Sequence, residues 1–174
     1  MNAHTNSLSS PRQSWLSLIG WLAAAHLAGA VGGIASAGAP AFYAVLVKPS
    51  FAPPAGVFGP AWLTLYTLMG VAAWLVWKER GRLVFIAMVR TAITLFVLQL
   101  AINALWSWLF FGWHQGALAF VCILVLIALV AATTWAFWKV RPLAGALLLP
   151  YLVWLVFAAA LNYSVWQANP ALLG

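Results

Sequence analysis

Five long apolar runs, separated by short polar or proline-rich interruptions, dominate the chain: residues 15–37, 57–77, 83–112, 115–138 and 143–167. Each is near or above the ~20 residues that a helix needs to cross the hydrocarbon core of a bilayer. The pattern predicts an all-α integral membrane protein, a bundle of five transmembrane helices. Residues 14–169 read as one membrane domain, with 1–13 a flexible N-terminal tail, 38–56 a structured loop and 170–174 a C-terminal tail. Arg90 falls about two turns inside the third run, where a long stem can still carry the guanidinium to the headgroups.

Composition supports this reading. Of 174 residues 66% are hydrophobic and 5% charged, and the mean hydropathy is +1.02, which leaves too little polar surface to coat a water-soluble globule. The net charge of +7 does not point to nucleic acid, because the basic residues sit at the ends of apolar runs rather than on a patch. Arg12, Lys78, Arg80, Arg82, Lys139 and Arg141 share the N-terminal side, Arg90 leans toward it, and Lys48 stands opposite. By the positive-inside rule the N-terminus is cytoplasmic and the loop at Lys48 faces outward; a bacterial cell membrane is the expected location. Arg12, the first run and Ala35-Ser36-Ala37 imitate a secretory signal, yet the run is longer than the ~7–15 residues of a signal core, so it is read as a span.

The one acid, Glu79, lies in a basic turn, so no span carries a carboxylate, which argues against an ion-driven pump. There is no dinucleotide fingerprint, phosphate loop, Cys/His metal cluster or nucleophile–base pair, so no metal site is expected and no cofactor is required. Cys122, alone in an apolar run, reads as a small buried or lipid-facing side chain.

Candidate chemistry centres on residues 48–66. Pro49, Pro53, Pro54 and Pro60 deny this stretch a regular ladder, which makes it a stiff loop running into a helix, suited to act as a lid. Of twelve tryptophans, Trp15, Trp74, Trp77, Trp113, Trp135, Trp138 and Trp166 fall near span ends, as interfacial rings do. Trp62, Trp106 and Trp154 lie inside spans. They belong to stripes at helical spacing: Trp62, Tyr66 and Met69; Gln99, Asn103, Trp106, Ser107 and Phe110; Tyr151, Trp154, Ala158 and Asn162. At a ~1.5 Å rise per residue, Trp62, Trp106 and Asn162 come out roughly 8–9 Å below the loop-side surface, Asn103 about 14 Å and Trp154 about 20 Å. Such stripes line an apolar, aromatic cavity for a flat ligand, or serve as interhelical packing and hydrogen-bonding glue. Gly29, Gly32 and Gly33 permit close helix approach within the bundle or in a dimer. His26 reads as a hydrogen-bonded interior imidazole before a haem ligand, and His114 as a solvated turn residue.

These residues resemble the TspO/translocator protein family, also called tryptophan-rich sensory proteins and peripheral benzodiazepine receptors, from about residue 40 to Asn169. Lys48-Pro49, Pro53-Pro54, Val57-Phe58-Gly59-Pro60, Trp62, Leu65-Tyr66 and Met69-Gly70 are similar to its first signature. Gln99-Leu100, Asn103, Trp106-Ser107 and Phe110-Phe111 resemble the second, and Pro150-Tyr151-Leu152, Trp154, Phe157-Ala158 and Leu161-Asn162-Tyr163 the third. Phe42-Tyr43 and Phe51 depart from the family's tryptophans around the Lys-Pro, and Tyr163 lacks the following basic residue of the animal sterol motif. The resemblance implies a five-helix bundle, usually a homodimer, that binds porphyrins such as protoporphyrin IX, with sterol or drug-like hydrophobic ligands in some members. It implies a pocket of Tyr43, Trp62, Tyr66, Asn103, Trp106, Ser107, Trp154 and Ala158.

The leading expectation is a membrane receptor for tetrapyrroles in transport, regulation or stress signalling, with porphyrin as ligand. Two alternatives stand beside it. One is a light-dependent porphyrin-degrading enzyme using Trp62 and Trp154; the other is a lipid- or sterol-binding or scaffold protein.

Overall fold

A computed structural model describes the backbone of residues 11–174 and the side chains from residue 14 onward. Most of the expected N-terminal tail therefore lies outside the described residues. The chain forms α1 (Pro11–Ala35), α2 (Ala39–Val45), α3 (Phe58–Trp77), α4 (Ile86–Ser107), α5 (Gly116–Val140), α6 (Pro142–Ala146), α7 (Leu149–Ala168) and α8 (Pro170–Leu173), with no strand among the described residues. Five segments are long and apolar enough to cross a membrane: Ser14–Ala35, Ala55–Gly81, Leu83–Gly112, Gly116–Val140 and Pro142–Ala168. These are the five predicted spans with small shifts at the ends.

Two departures from straight helices have local causes. The last span breaks between α6 and α7 because Pro150 has no N–H to return to the preceding turn and its ring crowds that turn. The span of α4 ends in a π-type turn, Trp108–Gly112, an irregularity that tends to occur at functional sites. It closes with Trp113 N–H donating to Trp108 C=O at 2.7 Å and Gln115 N–H to Leu109 C=O at 2.8 Å.

In lipid, helix association rests on close packing and interhelical hydrogen bonds rather than on burial from water. α1 packs on α3 and α4, α4 on α5, and α5 on α6 and α7. Gly70 makes the α1–α3 approach possible, since a Cβ there would stand 2.9 Å from Leu22 Cα. The core beneath holds Met69, Phe96, Ile123, Phe137 and Tyr151, while Leu83, Val84, Trp135 and Val153 face outward, as a lipid-facing surface requires.

The basic end is cross-tied. Arg82 Nη1 and Arg141 Nη1 lie 3.1 and 3.7 Å from the Glu79 carboxylate, joining the turn after α3 to the start of α6. Trp74 Nε1–H donates to Ser14 C=O at 3.0 Å. Lys78, Arg80 and Lys139 sit over the rings of Trp74, Trp77 and Trp135.

At the other end, the strap joining α1 to α3 folds across the bundle. Leu46 plugs into a cluster with Phe110, Ala119, Leu161, Val165 and Leu173. Asn169 clasps Val47 as a neighbouring strand would: Val47 N–H donates to Asn169 Oδ1 and Asn169 Nδ2 donates to Val47 C=O, both at 2.8 Å. Residues 170–174, expected as a tail, instead carry α8 with Leu173 fully buried. Asn169 followed by Pro170 is a helix-start pattern that the sequence does carry, whereas the apolar socket that receives Leu173 is not legible in it.

Candidate functional site

Beneath the strap lies a cavity of about 440 Å³, within the ~300–1,000 Å³ of small-molecule sites. α1 contributes the bare backbone of Gly29, Gly32 and Gly33; α2 and the strap contribute Ala39, Pro40, Tyr43 and Ala55. The aromatic walls come from three spans: Phe58, Trp62 and Tyr66 of α3; Trp106 of α4 with Phe110 and Phe111 of its π-type turn; and Trp154 of α7.

The rings hold one another in place. Trp62 stacks on Tyr66 at 5.5 Å and meets Trp154 edge-on at 6.4 Å. Trp106 stacks on Phe110 at 5.6 Å, and Trp154 lies between Phe58 and Phe157 at 6.1 and 5.6 Å. Contacts of this kind add ~0.5–1.5 kcal/mol each beyond burial. The depth expectation for Trp154 is corrected by its contact with Phe58, the first residue of α3, which puts it in the same layer as Trp62. Counting residues from span ends assumes rods that start in one plane, whereas α7 runs on past the point where α3 begins.

Polar groups around the cavity are mostly committed. Trp106 Nε1–H donates to Asn162 Oδ1 at 3.1 Å, and Asn162 Nδ2 donates to Gly116 C=O at 3.3 Å, so one amide joins α4, α5 and α7. Tyr66 Oη–H donates to Asn103 Oδ1, and Asn103 Nδ2 donates to Tyr151 Oη at 2.9 Å. Tyr43 Oη–H donates to Pro53 C=O at 3.0 Å and pins the strap over the mouth; partial burial raises this phenol's pKa above its ordinary value. Lys48 Nζ donates to the C=O groups of Tyr43 and Leu46 at 2.7 and 2.9 Å, and lies 4.9 Å from the Tyr43 ring centre.

Tyr43, Trp62, Tyr66, Trp106, Ser107, Trp154 and Ala158 all line the cavity. Asn103 does not. It is 1% exposed and lies one layer below, its amide spent on two tyrosines. An amide at stripe spacing among apolar helices satisfies its neighbours first, and Asn103 braces the floor through Tyr66 and Tyr151.

The pocket implied by the resemblance leaves out Gly29, Gly32, Gly33, Phe58, Phe110 and Asn162, yet all six are on the wall, Phe110 and Asn162 as the inward stripes already had them. Asn162, four residues after Ala158 on the same stripe, and Phe110, four after Trp106, carried the signal. The glycines did not, because wall and packing look alike in sequence: a Cβ on Gly29 would meet the Tyr66 ring at 2.5 Å and one on Gly32 the Ser107 Oγ at 2.9 Å, whereas Gly33 has open space.

His26 Nε2 lies 3.3 Å from Thr67 Oγ1, off the cavity. His114, expected simply to be solvated, is exposed but also stacks on Phe42 at 4.3 Å and takes a left-handed φ of 54°. The strap passes over the turn between α4 and α5, a contact that no local pattern encodes.

The TspO/MBR family model matches residues 21–167. The chain is 48% identical over 128 residues to human Translocator protein, covering 74% of this chain and 75% of the relative. It is 39% identical over 150 residues to Protein CrtK of Rhodobacter capsulatus, covering 86% and 91%. It is 36% identical over 146 residues to the Tryptophan-rich sensory protein of Cereibacter sphaeroides, covering 78% and 88%.

Proposed function

The chain belongs to the TspO/MBR family, and from that premise we propose that it is a multi-pass membrane receptor that binds a porphyrin-type tetrapyrrole in the cavity under the strap. The observation that carries this reading is the convergence of Trp62, Trp106 and Trp154, from three different spans, on one apolar chamber of about 440 Å³. A flat macrocycle has two large π faces, which such a chamber matches, and a protoporphyrin would turn its propionate edge toward the mouth. Ser107 and the Tyr43 hydroxyl supply polar contacts on the wall, and Gly33, with open space where a Cβ would stand, allows a ring system to approach the α1 backbone. The strap over the mouth would slow ligand exchange, which suits transport, regulation or stress signalling better than rapid turnover. The same reading takes the protein as a homodimer in a bacterial cell membrane with its N-terminus cytoplasmic; differential labelling of tags on the two termini tests the orientation.

Quenching of intrinsic fluorescence by protoporphyrin IX tests the site. Trp106→Ala with Trp154→Ala removes two stacking faces, and affinity should fall about tenfold or more at ~0.5–1.5 kcal/mol per aromatic contact plus lost burial. Unchanged affinity in the double variant would sink the assignment.

A second reading, light-dependent porphyrin breakdown, draws on the chain of contacts Trp154, Trp62 and Tyr66. An indole that gives an electron to a photoexcited porphyrin would share the hole with its neighbours, and this step needs no carboxylate. Loss of pigment absorbance under illumination, dependent on both Trp62 and Trp154, favours this reading; stable bound pigment in the light rejects it.

A further inference from the structure

At the opposite end of the bundle, a groove of about 240 Å³ runs between the end of α3 and the first half of α4, with Trp77, Arg80, Ile86, Arg90, Ile93 and Thr94 on its walls. Two arginines thus line one apolar groove, at the end of the bundle that carries the other basic residues. Arg80 is pre-set: its Nη1 donates to Trp77 C=O at 3.0 Å and its guanidinium lies 4.8 Å from the Trp77 ring centre. Arg90, four residues into α4, sits about 6 Å along the helix from Ile86.

Neither cation has an internal counterion. Glu79 is the only Asp or Glu in the chain, and it is taken by Arg82 and Arg141. Guanidinium groups bordering hydrocarbon need an anion, and a phosphate oxygen pair matches the planar donor fork. The groove is open and apolar rather than enclosed and polar, so its occupant carries a greasy body as well as a charge.

We propose that this groove is a binding site for an anionic phospholipid of the leaflet at the basic end, its phosphate held between Arg80 and Arg90 and an acyl chain lying along Ile86 and Ile93. A zwitterionic lipid would bring its own ammonium beside two guanidinium groups, so a headgroup of net negative charge is preferred. The site lies at the far end of the bundle from the cavity and does not rest on the tetrapyrrole reading.

Native mass spectrometry of the purified protein in a nonionic detergent, with dioleoyl phosphatidylglycerol and dioleoyl phosphatidylcholine in equal amounts, tests the proposal. The expected result is retention of phosphatidylglycerol over phosphatidylcholine. Arg80→Gln with Arg90→Gln should weaken phosphatidylglycerol binding roughly tenfold, the scale of a lost charge-assisted contact. Lys78→Gln with Lys139→Gln, which removes the same charge from the same end, should leave it within about twofold, the ordinary context scatter of such contacts. Arg90→Gln alone, at an exposed position, carries the same prediction with a smaller loss should the double variant fail to fold. The proposal is overturned by equal retention of the two lipids, by equal losses in the two double variants, or by displacement of the lipid with free glycerol phosphate at comparable concentration.

Discussion

Asn169→Ala should unlatch the strap while leaving the bundle intact. The side chain makes two bonds to Val47, at 2.8 Å each, and a third from Nδ2 to Val165 C=O at 2.7 Å that secures the end of α7. At a net ~0.5–1.5 kcal/mol per bond, the loss at Val47 is about 1–3 kcal/mol. With tenfold per ~1.4 kcal/mol, the strap should open roughly five- to a hundredfold more often. Leu46, 4% exposed in its socket, limits the effect because its burial does not pass through Asn169. Hydrogen exchange read on a peptide covering residues 44–57 measures this opening directly. Protection there should drop by that factor, with peptides from the middle of α4 and α5 unchanged. If the strap peptide exchanges as slowly as in the parent protein, Leu46 and the Tyr43 contact hold it alone, and the latch has no energetic role. Faster exchange throughout the bundle would equally refute the reasoning, since it would make Asn169 a determinant of global stability.

Asn103→Leu should leave the Tyr66 and Tyr151 hydroxyls without their shared partner in a dry core, at about 1–3 kcal/mol; thermal unfolding in detergent should shift down by several degrees, and an unchanged midpoint would mean the tyrosines find other acceptors. Gly33→Leu adds a side chain at a position where a Cβ has nothing within 4 Å, so the protein should fold with an unaltered melting temperature but show weaker protoporphyrin quenching, because the leucine takes up part of the chamber. For Tyr43, the raised pKa means the neutral phenol is the form favoured by folding. Its contribution to strap closure is complete below the ordinary tyrosine range and is lost as pH climbs through the raised folded value. Exchange of the strap should therefore accelerate only at strongly alkaline pH, and Tyr43→Phe should abolish that step.

Length and apolarity alone determined the five spans, because a helix must satisfy its own backbone in lipid and needs about 20 residues to cross. The stripe spacing of Trp62, Trp106 and Trp154 likewise determined which faces turn inward, since periodicity along one helix is a local property. Only the tertiary structure decided that Asn103 braces two tyrosines below the floor, that Gly33 opens onto the chamber while Gly29 abuts Tyr66, and that Trp154 rises to the level of Phe58. Each of these depends on the relative height and rotation of neighbouring helices. Those are set by contacts such as Gly70 against Leu22 and by the Asn169 clasp on Val47 across 122 residues of sequence, which no single stretch of chain encodes.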